Sequence, residues 1–318
     1  MAAVPGIHHV TAIAGDPQAN VDFYVGLLGL RLVKRTVNFE DPGTYHLYFG
    51  DHTGRPGTIL TFFPWPGAPR GRHGVGQATS TAFAVPAGSI AFWTDRLAAA
   101  GVSFGEPVTR FDEGVLRLED PDGLRLELVG RAVGMPDEPW DHGDVPAEHA
   151  IRGLAGVTIA ERDAAATEAL LVSALGFRRV GRAGMLTRLE AAGREPGAVV
   201  DLIEERDGTP GRIAVGTVHH VAFRARSDAE QQAWRTELLG AGLAVSPVRD
   251  RNYFRSIYFR EPGGVLFEIA TDLPGFAIDE PPAELGGALM LPPWLEPRRT
   301  ELEAVLPPLS TRPGWRAA

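Results

Sequence analysis

One structural unit is written four times along this chain, and that repetition limits its fold more than any other feature. Each copy has a short alternating strand, an amphipathic helix closed by glycine, and further strands joined by turns. The first copy opens at IHHVTAIAGD and closes near GTILTFF; the second runs from STAFAVPAG to DPDGLRLELVG. The third runs from GLAGVTIAERD to GAVVDLIEE, and the fourth from VHHVAFRARSD to EPGGVLFEIATD. Val21, Tyr24, Leu27 and Leu28 recur at helical spacing in copy one, as do Trp234, Leu238 and Leu239 in copy four. Gly29, Gly101, Gly176 and either Gly240 or Gly242 stand where a left-handed C-cap is expected. Leu124, Leu126 and Leu128 alternate with Arg125 and Glu127, which marks a closing strand with one buried face. The copies are therefore read as βαβββ modules over about residues 7–65, 78–130, 153–205 and 216–272.

A module of this size leaves one sheet face bare and needs a partner. Four modules are expected to pair into two cup-shaped mixed sheets, an α+β fold. Along the chain this gives an N-terminal module pair (1–140), a C-terminal module pair (150–275) and a Pro-rich tail (276–318). The linker GMPDEPWDHGDVPAEHA joins the halves, and the tail carries one short helix near EPRRTELEAVL.

What the chain lacks narrows its chemistry. With no cysteine, disulfides, thiolate nucleophiles and Cys-bound metal sites are excluded. Lys34 is the only lysine, which leaves a single candidate for Schiff-base chemistry, inside a strand. A net charge of −9 argues against a nucleic-acid partner. No apolar run approaches the ~18 residues that span a bilayer, and the opening MAAVPGIHHV has no secretory pattern. A soluble cytoplasmic protein with no membrane partner is expected.

Aligned on their opening strands, the copies place His9, Ser80, Gly156 and His220 at one position. Aligned on their closing strands, they place Thr61, Glu127, Asp201 and Glu268 at another. Two imidazoles and a carboxylate form a facial triad for divalent iron or manganese, with coordination positions left open. His9, His220 and Glu268 are the candidate ligands. They can meet only if copies one and four share a cup. Glu268 lies in the apolar run VLFEIA, where an unpaired buried carboxylate would be costly. Glu127 and Asp201 lack histidine mates and are read as structural, as is His46. Thr11 is two residues from His9 and so shares its face of the strand.

On IHHVTA, KRTVNFEDPGTYHLYFGD, GRPGTILTFFP, VHHVAF and NYFRSIYFREPGGVLFE, the chain resembles the vicinal oxygen chelate superfamily. More narrowly it is similar to the ring-cleaving dioxygenases that open hydroquinones. The resemblance implies Fe(II), with Mn(II) as a lesser alternative, held by His9, His220 and Glu268. It also implies an aromatic diol and O2 as reactants and is compatible with pairing into homo-oligomers, although a chain of two cups can also act alone. By the same resemblance Tyr258, His219 and His8 are catalytic groups, and Arg251 and Thr11 contact substrate. Plain strand alternation would turn His8 and His219 away from the cup, so their use requires a bulge or twist. A glyoxalase-like Lewis-acid isomerase and a metal-free drug-binding protein are the alternatives on this scaffold. Thr61 in place of a fourth ligand counts against the first, and the retained triad counts against the second.

Overall fold

The computed structural model describes residues 3–132, 140, 144–193 and 197–311. Most of the linker, His142 and tail residues 312–318 lie outside them. Module one comprises β1 (Ile7–Ala14), α1 (Pro17–Val21), β2 (Arg31–Val37), β3 (Tyr45–Gly50) and β4 (Ile59–Pro64). Module two comprises β5 (Gln77–Pro86), α2 (Ile90–Ala99), β6 (Val108–Arg110), β7 (Glu113–Glu119) and β8 (Arg125–Arg131). Module three comprises β9 (Leu154–Glu161), α3 (Ala165–Ser173), β10 (Arg178–Ala183), β11 (Leu186–Glu190) and β12 (Val199–Glu204). Module four comprises β13 (Thr217–Ala225), α4 (Asp228–Gly240), β14 (Arg249–Asp250), β15 (Arg255–Arg260) and β16 (Leu266–Thr271).

Two mixed sheets of eight strands result. One has the order β14-β15-β16-β13-β1-β4-β3-β2, the other β10-β11-β12-β9-β5-β8-β7-β6. The outermost modules of the chain thus share one sheet, the outer cup, through antiparallel β1 and β13. The middle modules share the other, the inner cup, through β5 and β9. Within each module the opening strand runs parallel to the closing one, as β1 does to β4 and β13 to β16.

Both module seams carry bulges at matching places. In β1–β13, the pairs Ile7↔Phe223 and His9↔Ala222 leave His8 unpaired, and Thr11↔His220 and Ala12↔Val218 leave His219 unpaired. In β5–β9 the same slips leave Thr79 and Ala155 unpaired. A bulge re-aims the side chains it contains, so alternation fails at His8 and His219.

Val10, Ala12 and Ala14 of β1 pack with Tyr24, Leu27 and Leu28, and with Trp93, Leu97 and Leu126 of module two, in one apolar core. The first helix differs from its expected form: after α1 it continues as a π-helical turn over Asp22–Leu27. The wider turn buries Val21, Phe23, Tyr24, Leu27 and Leu28, a broader apolar arc than one α-helical stripe holds. Gly29, Gly101, Gly176 and Gly242 end the four helices at φ of 69°, 68°, 74° and 84°, so Gly242 rather than Gly240 closes α4. The tail folds back onto module one. Buried Lys34 holds Asp279 and Glu280 at 2.6 and 2.5 Å, Arg35 bridges to Leu289, and Trp294 packs edge-on against Phe39. Its short helix is α5 (Arg299–Val305). No helix among the described residues is long and apolar enough to cross a membrane.

Candidate metal centre

The seam between β1 and β13 brings His9 and His220 side by side, their ring centroids 5.6 Å apart. Glu268 is on β16, hydrogen-bonded to β13, and lies opposite Ala222. One ligand atom from each of His9, His220 and Glu268 falls within 4.8 Å of the others, and all three residues are buried. Glu268 Oε2 is 2.9 Å from His220 Nε2 and 3.5 Å from His9 Nε2. Neither His220 Nε2 nor Glu268 Oε2 has an aligned hydrogen-bond partner. Two buried, orphaned, lone-pair-bearing atoms aimed at a common point fit a divalent cation, which would satisfy both. Burial alone would raise the Glu268 carboxyl, but the charge and hydrogen bonds of His9 and His220, when those rings carry the proton between them and the acid, hold it well below its ordinary range, a role that a bound cation would take over. Its other oxygen accepts from the Ser256 hydroxyl.

The groups behind the imidazoles set their proton positions. His8 Nδ1 and His9 Nδ1 are 2.9 Å apart, so one carries hydrogen and the other a lone pair. Burial and the neighbouring His9 keep His8 neutral, and its hydrogen bond to the Thr271 backbone uses its single N–H. The remaining His8 nitrogen accepts, which puts the His9 proton on Nδ1 and frees His9 Nε2 to face Glu268. The pattern repeats at His219 and His220, with Nδ1 atoms 2.7 Å apart.

A cavity of about 390 Å³ opens above the three residues. Tyr258, Arg251 and His219 border it. His8 and Thr11 do not: His8 stands behind His9, and Thr11 lies under the floor, its hydroxyl 3.0 Å from that of Thr61. Thr61 in turn contacts His46 Nε2 at 2.7 Å, and His46 Nδ1 contacts the Tyr48 hydroxyl at 2.8 Å. Arg251 Nε donates to the Tyr258 hydroxyl at 3.0 Å and its Nη1 donates to Glu40 at 2.5 Å. Burial and the Glu268 charge raise the Tyr258 phenol far above its usual range, so it keeps its proton. His219 is pushed down to about 3, first by burial and then by His220, and is neutral at physiological pH.

Sequence reasoning did not single out Tyr48 or Glu40 for this cavity, and it read His46 as structural, in keeping with the hydrogen bonds His46 makes to Thr61 and Tyr48. His46 and Tyr48 border the cavity, as does Glu40 from the loop after β2. Tyr48 sits opposite Thr61 as Tyr258 sits opposite Glu268, so the two tyrosines are repeat mates. The parallel strings LYFGD and IYFRE carried that signal. Nothing local marks Glu40, which meets Arg251 across a separation of 211 residues. In the inner cup, Glu127 is held by Arg110 and Asp201 by Arg188. Both carboxylates are therefore spent on ion pairs.

Two curled sheets built from four βαβββ modules, with a metal-compatible triad at one seam, define a class. The model of the Glyoxalase/Bleomycin resistance protein/Dioxygenase superfamily matches residues 6–128 and 153–269, and the chain belongs to that family. MhqO of Bacillus subtilis strain 168, provisionally named as a ring-cleaving dioxygenase, is 50% identical over 96% of this chain and 97% of its own. The chlorohydroquinone/hydroquinone 1,2-dioxygenase of Sphingobium indicum is 36% identical over 94% and 95%. A crystal structure of a Bacillus subtilis protein superposes with a TM-score of 0.94 at 48% identity, covering 98% of this chain and 100% of that one.

Proposed function

We propose that this chain is a metal-dependent ring-cleaving dioxygenase acting on hydroquinone- or catechol-type dihydroxybenzenes. His9, His220 and Glu268 would hold Fe(II), with Mn(II) the lesser alternative. The observation that carries the reading is the convergence of those three buried ligand atoms beneath a cavity large enough for a substituted ring. The similarity to a hydroquinone 1,2-dioxygenase supplies the reaction class. A bound ferrous ion supplies the redox step that lets a diol react with O2. Both oxygen atoms enter the product. The bond between a hydroxyl-bearing ring carbon and its neighbour breaks, leaving a carboxylate at one end and a carbonyl at the other.

The side chains around the cavity bind, orient and exclude water. Arg251 can only donate, so its bond to the Tyr258 oxygen leaves the phenolic proton directed elsewhere, available to a substrate oxygen. The Arg251 cation compensates the charge of an ionised diol or of the carboxylate that forms. His219 presents a neutral ring at the cavity edge, suited to hydrogen bonding with a diol hydroxyl. Phe63 and Phe254 also border the site and provide apolar surface for a ring. Thr61 is engaged by Thr11 and His46, which favours a three-ligand open centre over a four-ligand isomerase. The reading places the enzyme in the cytoplasm, where ferrous iron is available.

The test is anaerobic loading with Fe(II), followed by a panel of dihydroxybenzenes in air. Oxygen uptake with formation of a yellow ring-opened product is expected. No uptake with any diol, in protein shown to hold iron, would overturn the proposal.

A further inference from the structure

The inner cup repeats the architecture of the outer one but carries different chemistry. Glu127 lies opposite Arg117 as Glu268 lies opposite Tyr258. Val108 pairs two residues before Arg117, and Arg249 pairs two before Tyr258, so Arg110 occupies the place of Arg251. Leu186, two residues before Arg188, occupies the place of His46. At the imidazole positions stand Ser80 and Gly156. The carboxylates are neutralised: Arg110 grips Glu127 at 3.0 and 2.5 Å, and Arg188 grips Asp201 with two bonds of 2.8 Å. This cup has no vacant ligand set for a metal. Its cavity is nevertheless retained and measures about 520 Å³, larger than the outer one.

We propose that the inner cup is a second small-molecule site, taking an unsaturated or aromatic monocarboxylate without metal. Two residues that border this cavity, Arg110 and Ser80, each carry a buried polar atom, Nε and Oγ, without a hydrogen-bond partner. Arg110 is only 8% exposed, so a cationic N–H left without an acceptor there is costly. A carboxylate satisfies an N–H and a hydroxyl together. Arg110 and Arg117 share Glu127 and Arg125 faces Glu119, so the residues bordering the cavity leave one positive charge in excess. Phe104, Leu118, Leu186 and Ile203 supply walls for a flat apolar body. With one orphaned guanidinium N–H and one orphaned hydroxyl, the site matches a single carboxylate better than a phosphate. The inference stands on the inner cup alone. If the outer cup opens rings as proposed, the unsaturated carboxylate it forms belongs to the class this site accepts.

The test titrates benzoate and 2,4-hexadienoate into the metal-free full chain by calorimetry. About one equivalent should bind, and neutral benzyl alcohol should bind at least about tenfold more weakly. Leu186→Trp and, separately, Ser80→Leu obstruct the inner cavity and should weaken benzoate at least about tenfold, with folding checked by circular dichroism. His220→Ala, in the outer cup, should leave the affinity within about twofold. The proposal is overturned if no saturable binding occurs, if binding survives whichever inner-cup variant folds, or if His220→Ala abolishes it. Oxygen uptake by the iron-loaded protein reports on the outer cup, so failure there leaves this result standing, and the converse holds.

Discussion

Glu161 and Glu261 meet across the two sheets, and their contact makes stability depend on pH. Glu161 ends β9 of the inner sheet; Glu261 begins the turn between β15 and β16 of the outer sheet. Both are 2% exposed. Glu261 is fully engaged, accepting from the Thr167 hydroxyl at 2.5 Å and from the Gly263 and Val265 N–H groups at 2.9 and 2.8 Å. Glu161 hydrogen-bonds Glu261, an attraction available only while one of them holds a proton. Burial first, and then the Glu261 charge, pushes the Glu161 carboxyl up from 4.5 to about 8. Between those values the folded chain holds a proton that the unfolded chain releases, so stability is greatest at low pH and falls as pH rises through the window. At 1.36 kcal/mol per unit the whole shift amounts to about 5 kcal/mol as a ceiling, and relaxation around the pair reduces this to about 2 kcal/mol. Glu161→Gln keeps an N–H donor for Glu261 and removes the titration. The variant should unfold about 3 °C higher than the parent at pH 8.5 and within about 1 °C of it at pH 5. Thermal unfolding of both proteins at each pH unit from 5 to 9 measures the difference. Parallel profiles would refute the shared-proton account, because every other titrating group is common to the pair.

Other perturbations test the site and the tail. His8→Phe removes the acceptor that places the His9 proton, and ferrous affinity measured by anaerobic titration should weaken about 10–100-fold. Unchanged affinity would show that His9 selects its tautomer without His8. Tyr258→Phe should lower kcat about 10²–10⁴-fold in oxygen-uptake assays while iron content stays at the parent level. A loss of iron instead would assign Tyr258 to the metal site's integrity. Lys34→Met strands Asp279 and Glu280 beside an apolar side chain and should cost about 3–5 kcal/mol in urea unfolding. A cost below about 1 kcal/mol would mean that the tail docks without this pair.

The repeats were legible because their signals are local. Helical spacing, capping glycines such as Gly101 and Gly176, and alternation around Leu126 all reside within a dozen residues or so of one another. The same regularity exposed the candidate metal ligands, since His9, His220 and Glu268 stand out only when the copies are laid over each other. It also contained Tyr48, whose likeness to Tyr258 was readable in LYFGD and IYFRE. Alternation, by contrast, misdirects at His8 and His219: each occupies a bulge created when β1 and β13 pair, and neither strand alone encodes that slip.

The amino-acid order by itself therefore determined the module, its fourfold recurrence and the side chains able to hold a metal, because each follows from short-range periodicity or from comparing copies. The tertiary structure decided which modules share a sheet, that Glu40 reaches Arg251, that Thr61 is bound by His46, and that the inner cup stays open around Arg110. Those outcomes depend on contacts between residues from about 15 to over 200 positions apart, where pairing geometry and burial select the partner and local sequence preference carries no information.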